Sequence, residues 1–207
     1  MMAVLFFESI SIPIPQKEIY RRLGFTSGVT KISPSQKEEI ERYIQDAVSI
    51  IQLKGVGLRL PIKEIKGLKV TIADGLVFES KHLARFLRTC SEIVLMAATA
   101  GTGIVDAIEK DIAGSNITHG IVLDAAASEM VDASLDWIMN YFSRTLLREN
   151  RRLLRKRYSA GYGDLPLETQ KTMYALLQLD RIGVQITESC ILVPEKSVTA
   201  ITGIRQE

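Results

Sequence analysis

The most apolar stretch of the chain, residues 92–103, has the sequence EIVLMAATAGTG. A short apolar run followed by a glycine-containing turn is typical of a buried strand that leads into a helix. The run from Ile93 to Val105 is too short to cross a bilayer and contains Gly and Thr, which excludes it as a membrane span. We therefore predict a strand over residues 92–98, a turn at Thr99–Gly103 and a helix after it.

Upstream of this unit, the sequence predicts an opening strand and two helices. Alternating apolar residues indicate a strand over residues 5–14, and the short helix that follows it ends at Gly24. A second helix is expected to begin at Ser35, whose side chain can cap free backbone N–H groups, with Glu38 as its capping-box partner. Its apolar stripe predicts that it ends at Gly55.

The segments before and after the predicted strand at residues 92–98 differ in their sequence patterns. Short β-rich runs over residues 57–78 predict strands and a hairpin at Asp74-Gly75, and Ser80 can cap a short helix after them. Downstream, apolar residues recur at helical spacing over residues 117–155, where Gly120 is the only Gly or Pro. This pattern predicts one long helix or a broken pair of helices.

The C-terminal tail is β-rich from Val184 onward and is interrupted by Pro194-Glu195-Lys196, which predicts a closing hairpin. Strands are interspersed with helices without regular βαβ alternation. That order favours an α+β fold in which helices flank an antiparallel β-sheet. We divide the chain into an N-terminal α+β portion, residues 1–90, and a second portion, residues 91–207, and expect both to form one compact unit.

The composition is that of an ordinary globular protein. The 26 Lys and Arg against 24 Asp and Glu give a formal net charge of +2, too small to predict nucleic-acid or membrane binding. Cys90 and Cys190 stand alone, which disfavours a disulfide scaffold and favours a reducing cytoplasm. The N-terminus lacks the features of a signal peptide, so we expect a cytoplasmic protein. His82 and His119 have no partner at metal-ligand spacing, and we expect no metal site.

The turn at Thr99–Gly103 invites a phosphate-binding interpretation, because backbone N–H groups at a helix N-terminus attract anions. A dinucleotide fingerprint would need a third Gly where Asp106 stands, and the sequence has no Gly-Lys-Ser/Thr of a P-loop. We favour tight packing of strand and helix at this turn. A phosphate-ligand enzyme is the remotest of the functions considered.

Four polar residues share one face of the predicted long helix: Glu129, Asp132, Asp136 and Asn140. Like charges this close repel each other, so the face either contacts water or meets a cation. A solvated face is the first expectation. The functional alternative is that one or two of these carboxylates receive a cationic group of a ligand.

Further along the same predicted helix, five arginines follow the spacing of one face: Arg144, Arg148, Arg151, Arg152 and Arg155. Such a stripe can dock an acidic partner protein or a phosphate backbone, or it can simply be solvated. Nucleic acid is the weakest of the three alternatives, because no aromatic residues are interleaved and no groove-entering motif is present.

The segment over residues 157–168 has the sequence RYSAGYGDLPLE. A fixed cation, a Gly that permits close backbone approach and an adjoining Tyr suit a small ligand with a carboxylate and a planar ring. GVQITES at residues 183–189 and PEKSV at residues 194–198 follow in order. Together these motifs resemble the S-adenosylmethionine-binding activation domain of vitamin B12-dependent methionine synthase. The loop of that family has the pattern Arg-x-Ala-x-Gly-Tyr, and this chain has Arg157-x-Ser159-x-Gly161-Tyr162, with Ser in place of the Ala.

The resemblance implies a helmet-like α+β fold that presents S-adenosylmethionine to a cobalamin-carrying domain. In the family, divalent cobalt is reduced by a flavodoxin-like donor and remethylated from S-adenosylmethionine. The resemblance also implies roles for single residues in cofactor binding. Arg157 would meet the methionine carboxylate, and the acidic pair Asp132 and Asp136 matches the family's acidic positions, with Asp136 meeting the ammonium group. Ser159 and Gly161 would offer backbone, and Tyr162 would line the pocket.

The resemblance implies partners as well. Neither histidine stands in an Asp-x-His-x-x-Gly cobalamin motif, so the cobalamin is expected from a partner chain, a corrinoid-binding protein or a methyltransferase. The arginine stripe is expected to face that partner or the flavodoxin-like donor. The implied function is reductive remethylation of the partner's corrinoid. The alternative is a non-catalytic binding or scaffold module of the same fold that has lost S-adenosylmethionine.

Overall fold

A computed structural model describes residues 3–26 and 28–206, apart from the side chain of Asp74. Its strands are β1 (Leu5–Phe7), β2 (Lys54–Lys66), β3 (Lys69–Ile72), β4 (Val77–Glu79), β5 (Glu92–Thr99), β6 (Arg151–Leu153), β7 (Gln185–Ile186), β8 (Leu192–Val193) and β9 (Ser197–Gln206). Its helices are α1 (Gln16–Arg22), α2 (Pro34–Ile50), α3 (Lys81–Leu87), α4 (Thr102–Ala113), α5 (Ile117–Leu147) and α6 (Thr169–Leu177). Short 3-10 segments cover Ala73–Gly75 and Leu179–Ile182.

The strands form one large antiparallel sheet with the order β4-β3-β2-β5-β9-β6, and β1 pairs with the first part of β2. Strand β5 lies at the centre, where it pairs with β2 on one side and with β9 on the other, antiparallel in both cases. Strands β7 and β8 form a separate two-stranded sheet. The predicted α+β class with an antiparallel sheet and flanking helices is confirmed.

Strand β5 is buried along its whole length and separates two apolar layers. Ile93, Leu95 and Ala97 pack on the face covered by α3 and α6. The alternate residues Val94 and Met96 pack on the opposite face with α1, α2, α4 and α5. Because successive side chains of a strand point to opposite faces, a strand buried on both sides needs a continuous apolar run. That requirement explains the composition of residues 93–98.

Helix α5 packs closely against the sheet because β2 has glycine at two positions that face the helix. A Cβ atom at Gly57 would collide with the Phe142 ring, and a Cβ atom at Gly55 would lie 2.8 Å from Cδ1 of Ile138. The two glycines therefore allow the helix backbone to approach the strand. This close approach sets the position of the α5 face that carries the acidic residues.

Two boundaries near the N-terminus differ from the sequence prediction. The predicted strand over residues 5–14 is wrong beyond β1, since residues 8–15 have no regular structure. Pro13 and Pro15 lie in this segment, and proline offers no backbone donor for pairing. The second helix, α2, ends at Ile50, and Gly55, its predicted end, belongs to β2.

The cap of α2 also lies elsewhere than predicted. The N-cap is Ser33, not Ser35, and its capping-box partner is Gln36, not Glu38. The Gln36 backbone donates to the Ser33 hydroxyl, and the Ser33 backbone donates to the Gln36 side chain at 2.9 Å. Pro34 explains the choice, because proline at the first helical position has no N–H that needs a partner.

The predicted arginine stripe on one helical face is wrong. Helix α5 has 31 residues and ends at Leu147, and Asn150 adopts a φ of +54° where the chain reverses into β6. Arg144 therefore lies on the helix and Arg148 caps it, whereas Arg151 and Arg152 belong to β6. Pairing of β6 with the sheet edge at β9 overrides a sequence that could have continued as a helix.

The closing hairpin predicted at Pro194-Glu195-Lys196 is also wrong. The tail forms the small β7–β8 pair with its turn at residues 187–191, and the Pro-containing segment then leads into β9. Strand β9 does not pair with β8 but lies between β5 and β6. The turn signal was correct, but the partner of the last strand lies far away in the sequence.

The division at residue 90 falls between α3 and β5. Across it, β2 and β5 pair continuously from Lys54 and Thr99 to Pro61 and Glu92. Both apolar layers contain residues from before and after the division. Among the helices that the structure describes, none is long and apolar enough to span a bilayer.

Candidate functional site

Helix α5 carries a row of polar residues at intervals of four, namely Asp124, Ser128, Asp132 and Asp136. Residues spaced in this way lie on one helix face. The side chain of Lys196 reaches this row, with its ammonium 2.6 Å from the Asp124 carboxylate and 3.0 Å from the Ser128 hydroxyl. The link between β8 and β9 is thereby fastened to α5.

Arg157 meets the other end of the row. Its guanidinium lies 2.6 Å from an Asp132 oxygen and also pairs with the Asp136 carboxylate. Burial by itself would lower the pKa of Arg157, but the hydrogen bond and charge of Asp132, together with Asp136, outweigh burial and raise it. The expected solvated acidic face describes this pair only in part: both carboxylates are more than half exposed, and both also meet a cation from the same chain.

The third acidic residue of the predicted cluster has a partner of its own. Glu129 is buried, and its carboxylate accepts a hydrogen bond from Nε of Arg22 at 2.6 Å. Arg22 is the last residue of α1. Three separate segments of the chain therefore each place one cation against α5.

The loop that follows Arg157 is held in a compact shape by its own backbone. The Gly161 N–H donates to the Leu165 carbonyl at 2.9 Å, and the Tyr158 hydroxyl donates to the Tyr162 carbonyl at 3.0 Å. Gly163 has a φ of +58°, and a Cβ atom there would collide with the Tyr158 hydroxyl. Only glycine combines this backbone conformation with the space available.

Asp164 anchors the same loop to the N-terminus of α3. Its carboxylate accepts hydrogen bonds from the Ser80 hydroxyl and, at 2.7 Å, from the Lys81 N–H. These hydrogen bonds, with that of Ser80 the largest cause, lower the pKa of Asp164. Ser80 was predicted as the cap of this helix and does accept from the Leu83 N–H at 2.9 Å. Sequence reasoning missed Asp164, because the contact joins residues more than 80 positions apart.

Most of the predicted binding residues line one cavity of about 300 Å³, here called the α5 cavity. Asp132, Arg157, Ser159 and Tyr162 contribute to its wall. Tyr162 is 71% exposed, so the ring stands at the mouth of the cavity. The remaining two predicted residues are placed differently: Gly161 supports the loop from within, and Asp136 contacts Arg157.

Several lining residues were not among the predicted site residues: Gln170, Leu192, Ser197 and Thr199. Gln170 on α6 accepts from the Thr199 hydroxyl at 2.9 Å and donates to the Cys190 carbonyl at 3.1 Å. Ser197 lies in the PEKSV motif, which was noted in the sequence but not assigned to the site. Gln170 has no sequence signal, because only the fold brings α6 against β9.

A second cavity of about 220 Å³ adjoins the first and shares Asp132, Ser197 and Val198 with it. Arg22, Ser128 and Lys196 line its far side. The combined surface offers carboxylates, two guanidinium groups, an ammonium group, hydroxyls and an exposed aromatic ring. It suits a ligand with both an ammonium and a carboxylate beside a planar group. In the part of the chain that the structure describes, no cluster of metal-ligating side chains is present.

The arginines beyond α5 belong to a different network. Arg151 pairs with Glu92, and Arg59 joins Glu92 to Glu149, with 2.7 Å between Nη2 of Arg59 and Oε2 of Glu149. The hydrogen bond from Arg59 lowers the pKa of Glu149. This network ties β2, β5 and β6 together, so Arg151 is a structural residue. Arg144, Arg148 and Arg155 are exposed.

Comparisons with known proteins agree with the fold. No protein-family model matches the sequence, and no curated protein matches it. Among solved structures, the chain is similar to the crystal structure of the MetH reactivation domain bound to AdoHcy, with a TM-score of 0.69 and 16% sequence identity. The match covers 98% of this chain and 78% of that chain. The chain therefore has the fold of a methionine synthase reactivation domain, as the sequence resemblance predicted.

Proposed function

We propose that this chain binds S-adenosylmethionine in the α5 cavity and assists reductive remethylation of a corrinoid held by a partner methyltransferase. One observation carries the proposal. Asp132, Arg157, Ser159 and Tyr162 were singled out from the sequence resemblance, and they line one cavity. The similar fold was solved with bound AdoHcy, the product that S-adenosylmethionine leaves after it donates its methyl group.

The charges of the α5 cavity suit the amino-acid part of this ligand. A guanidinium can form two parallel hydrogen bonds to the methionine carboxylate, and the carboxylate of Asp136 or Asp132 can accept from the ammonium group. Because both aspartates contact Arg157, ligand binding exchanges an internal ion pair for two ion pairs with the ligand. Asp132 and Asp136 are more than half exposed, so each can turn to a new partner.

The corrinoid is supplied by the partner in this proposal. When bound, that corrinoid would supply the centre that accepts an electron from a donor and the methyl group of S-adenosylmethionine, which would be left as S-adenosylhomocysteine. This chain contributes the bound methyl donor and its orientation. Arg144 and Arg148, exposed at the end of α5, offer a positive surface to an acidic partner.

Calorimetric titration of S-adenosylmethionine into the purified chain tests the proposal. We expect saturable binding by the wild type, and binding weaker by about tenfold to a hundredfold for Arg157→Ala, because charge-assisted hydrogen bonds contribute about 1.5–3 kcal/mol. Arg157→Lys should recover only part of the lost affinity, since an ammonium keeps the charge but cannot form the two parallel hydrogen bonds. Arg85→Ala, an exposed arginine of α3, is the matched control.

Arg157→Ala leaves two carboxylates without their cation, so thermal melting must accompany each titration. A second variant, Tyr162→Ala, separates an effect on binding from an effect on folding. Tyr162→Ala removes a ring that is 71% exposed, and it should weaken binding without lowering the melting temperature. Equal binding by the wild type and Arg157→Ala would place the ligand elsewhere.

The second candidate function is a scaffold module that has lost S-adenosylmethionine. The full pairing of Arg157 with Asp132 and Asp136 favours it, because the guanidinium already has counterions. The same titration decides between the two. A folded wild type without saturable binding leaves the scaffold as the function.

A further inference from the structure

A cavity larger than the α5 cavity lies apart from it. It measures about 690 Å³ and lies between α1, the connection after it and α2. We call it the α1–α2 cavity. The residues that matter for its chemistry are Lys17, Tyr20, Arg21, Phe25, Ile32 and Lys37. A volume of this size is within the range of small-molecule sites.

The cations at this cavity are largely unpaired. Lys17 and Arg21 occupy neighbouring positions on one face of α1 and form no ion pair with any residue the structure describes. Lys37 lies 3.7 Å from Glu41, the one acidic residue of the lining. Three cations against one carboxylate make the site positive, so it favours an anion and repels a cation.

Tyr20 provides a second, independent observation. Its hydroxyl is buried and has no hydrogen-bond partner among the described residues. A buried polar group without a partner is costly and rare in folded proteins. Burial, and then the charge of Glu41, raise the pKa of Tyr20, so the hydroxyl keeps its proton and can donate it.

The rest of the lining is apolar. The Phe25 ring lies edge-on to the Tyr20 ring, with 5.5 Å between centroids. Ile32 lies on the connection that covers the cavity and is only partly exposed. An apolar wall beside a free donor and two free cations is complementary to a molecule that has an apolar body and one acidic head.

We propose that the α1–α2 cavity binds an amphipathic carboxylate, with its head at Lys17, Arg21 and the Tyr20 hydroxyl and its apolar body against Phe25 and Ile32. A neutral apolar molecule would leave the hydroxyl without a partner. A small polar anion would leave the aromatic wall without a contact. The proposal stands independently of S-adenosylmethionine binding, since none of the α5 cavity residues lines this site.

The test uses dodecanoate and, as its neutral counterpart, dodecanol, each titrated by calorimetry below its aggregation concentration. We expect one saturable site for dodecanoate and binding of dodecanol about tenfold weaker or more. Arg21→Gln should weaken dodecanoate binding about tenfold. Lys31→Gln removes a cation from the same region outside the lining, and it is the matched control that should bind as the wild type does.

The variant Tyr20→Phe distinguishes a ligand-binding hydroxyl from one that only stabilises the fold. It removes the unpaired hydroxyl, so the melting temperature should stay the same or rise while dodecanoate binding weakens severalfold. The proposal is overturned by the absence of saturable binding, by equal binding of dodecanol, or by equal effects of Arg21→Gln and Lys31→Gln. It is also overturned if Tyr20→Phe lowers the melting temperature and leaves binding unchanged.

Discussion

The α5 cavity and the α1–α2 cavity differ in how their charges are balanced. At the α5 cavity, Arg157 already contacts two carboxylates, and the neighbouring Lys196 contacts another. At the α1–α2 cavity, Lys17 and Arg21 form no ion pair with a described residue, and the Tyr20 hydroxyl is unsatisfied. The sequence motifs pointed to the smaller and more polar of the two cavities.

A charged residue in a cavity can stabilise the fold as well as bind a ligand. Arg22, Arg157 and Lys196 come from three separate segments and meet the same helix, so their ion pairs position those segments on α5. A ligand at the α5 cavity must replace such ion pairs with its own contacts to the same residues. A ligand at the α1–α2 cavity would instead satisfy groups that the fold leaves open.

The largest expected effect concerns the backbone beside the α5 cavity. Gly163→Ala places a Cβ atom against the Tyr158 hydroxyl, whereas Gly67→Ala has the same left-handed backbone, with a φ of +62°, and nothing within 4 Å. We expect Gly67→Ala to lower the free energy of unfolding by about 1–2 kcal/mol from backbone strain alone. Gly163→Ala should lose about 1–3 kcal/mol more from overpacking. Urea denaturation measures both.

Binding measurements on the same two variants distinguish an effect at the α5 cavity from an effect at the α1–α2 cavity. Gly163→Ala should abolish S-adenosylmethionine binding at the α5 cavity and leave dodecanoate binding at the α1–α2 cavity intact. Gly67→Ala should leave both unchanged. Equal losses of stability for the two variants would show that the loop does not need its compact shape.

A smaller effect is expected from Asp164→Asn, which removes the carboxylate that holds the loop to α3. Because the folded-state pKa of Asp164 is lowered, its stabilisation is present above the ordinary aspartate pKa, about 3.9. It is lost as the pH falls through the folded-state value. Wild type and Asp164→Asn should therefore differ in melting temperature at neutral pH and converge in acid. His82 faces the carboxylate, with its Nδ1 at 3.5 Å.

Asp106→Asn is the control for this experiment, because Asp106 is exposed on α4 and forms no ion pair with a described residue. Its melting temperature should follow that of the wild type at every pH. A difference between wild type and Asp164→Asn that persists unchanged below pH 3 would contradict the assignment of this pH dependence to the Asp164 carboxylate. S-adenosylmethionine binding should weaken in Asp164→Asn at neutral pH, whereas dodecanoate binding should not.

The smallest effect is expected at the exposed end of α5. Arg144 and Arg148 are exposed, like Lys17 and Arg21 at the α1–α2 cavity. We expect the double variant Arg144→Glu, Arg148→Glu to weaken association with an acidic corrinoid protein or flavodoxin-like donor severalfold, and to reduce its dependence on salt. Surface plasmon resonance at two salt concentrations measures both. An unchanged affinity would make these arginines a solvated face.

Local signals predicted the elements better than their ends. The stop at Gly24, the cap at Ser80 and the turn at Thr99–Gly103 identified α1, α3 and α4, and residues 92–98 were correctly predicted as a buried strand. The end of α5 was wrong because Arg151–Leu153 pairs with β9, more than 50 residues away. Helical spacing indicates what a segment can form in isolation. The same residues can instead form an edge strand when a sheet offers them a partner.

The sequence by itself determined the α+β class, the long helix with its acidic row, and the loop that resembles a S-adenosylmethionine site. The class and the helix depend on periodicity and on local backbone chemistry, which neighbouring residues encode, whereas the loop was identified by its resemblance to a known family. Only the tertiary structure decided that Arg157 pairs with Asp132 and Asp136, that Asp164 holds the loop to α3, and that the Tyr20 hydroxyl at the α1–α2 cavity has no partner among the described residues. Contacts of this kind join distant segments, and their energies depend on burial and on the directions of side chains, which no local pattern carries.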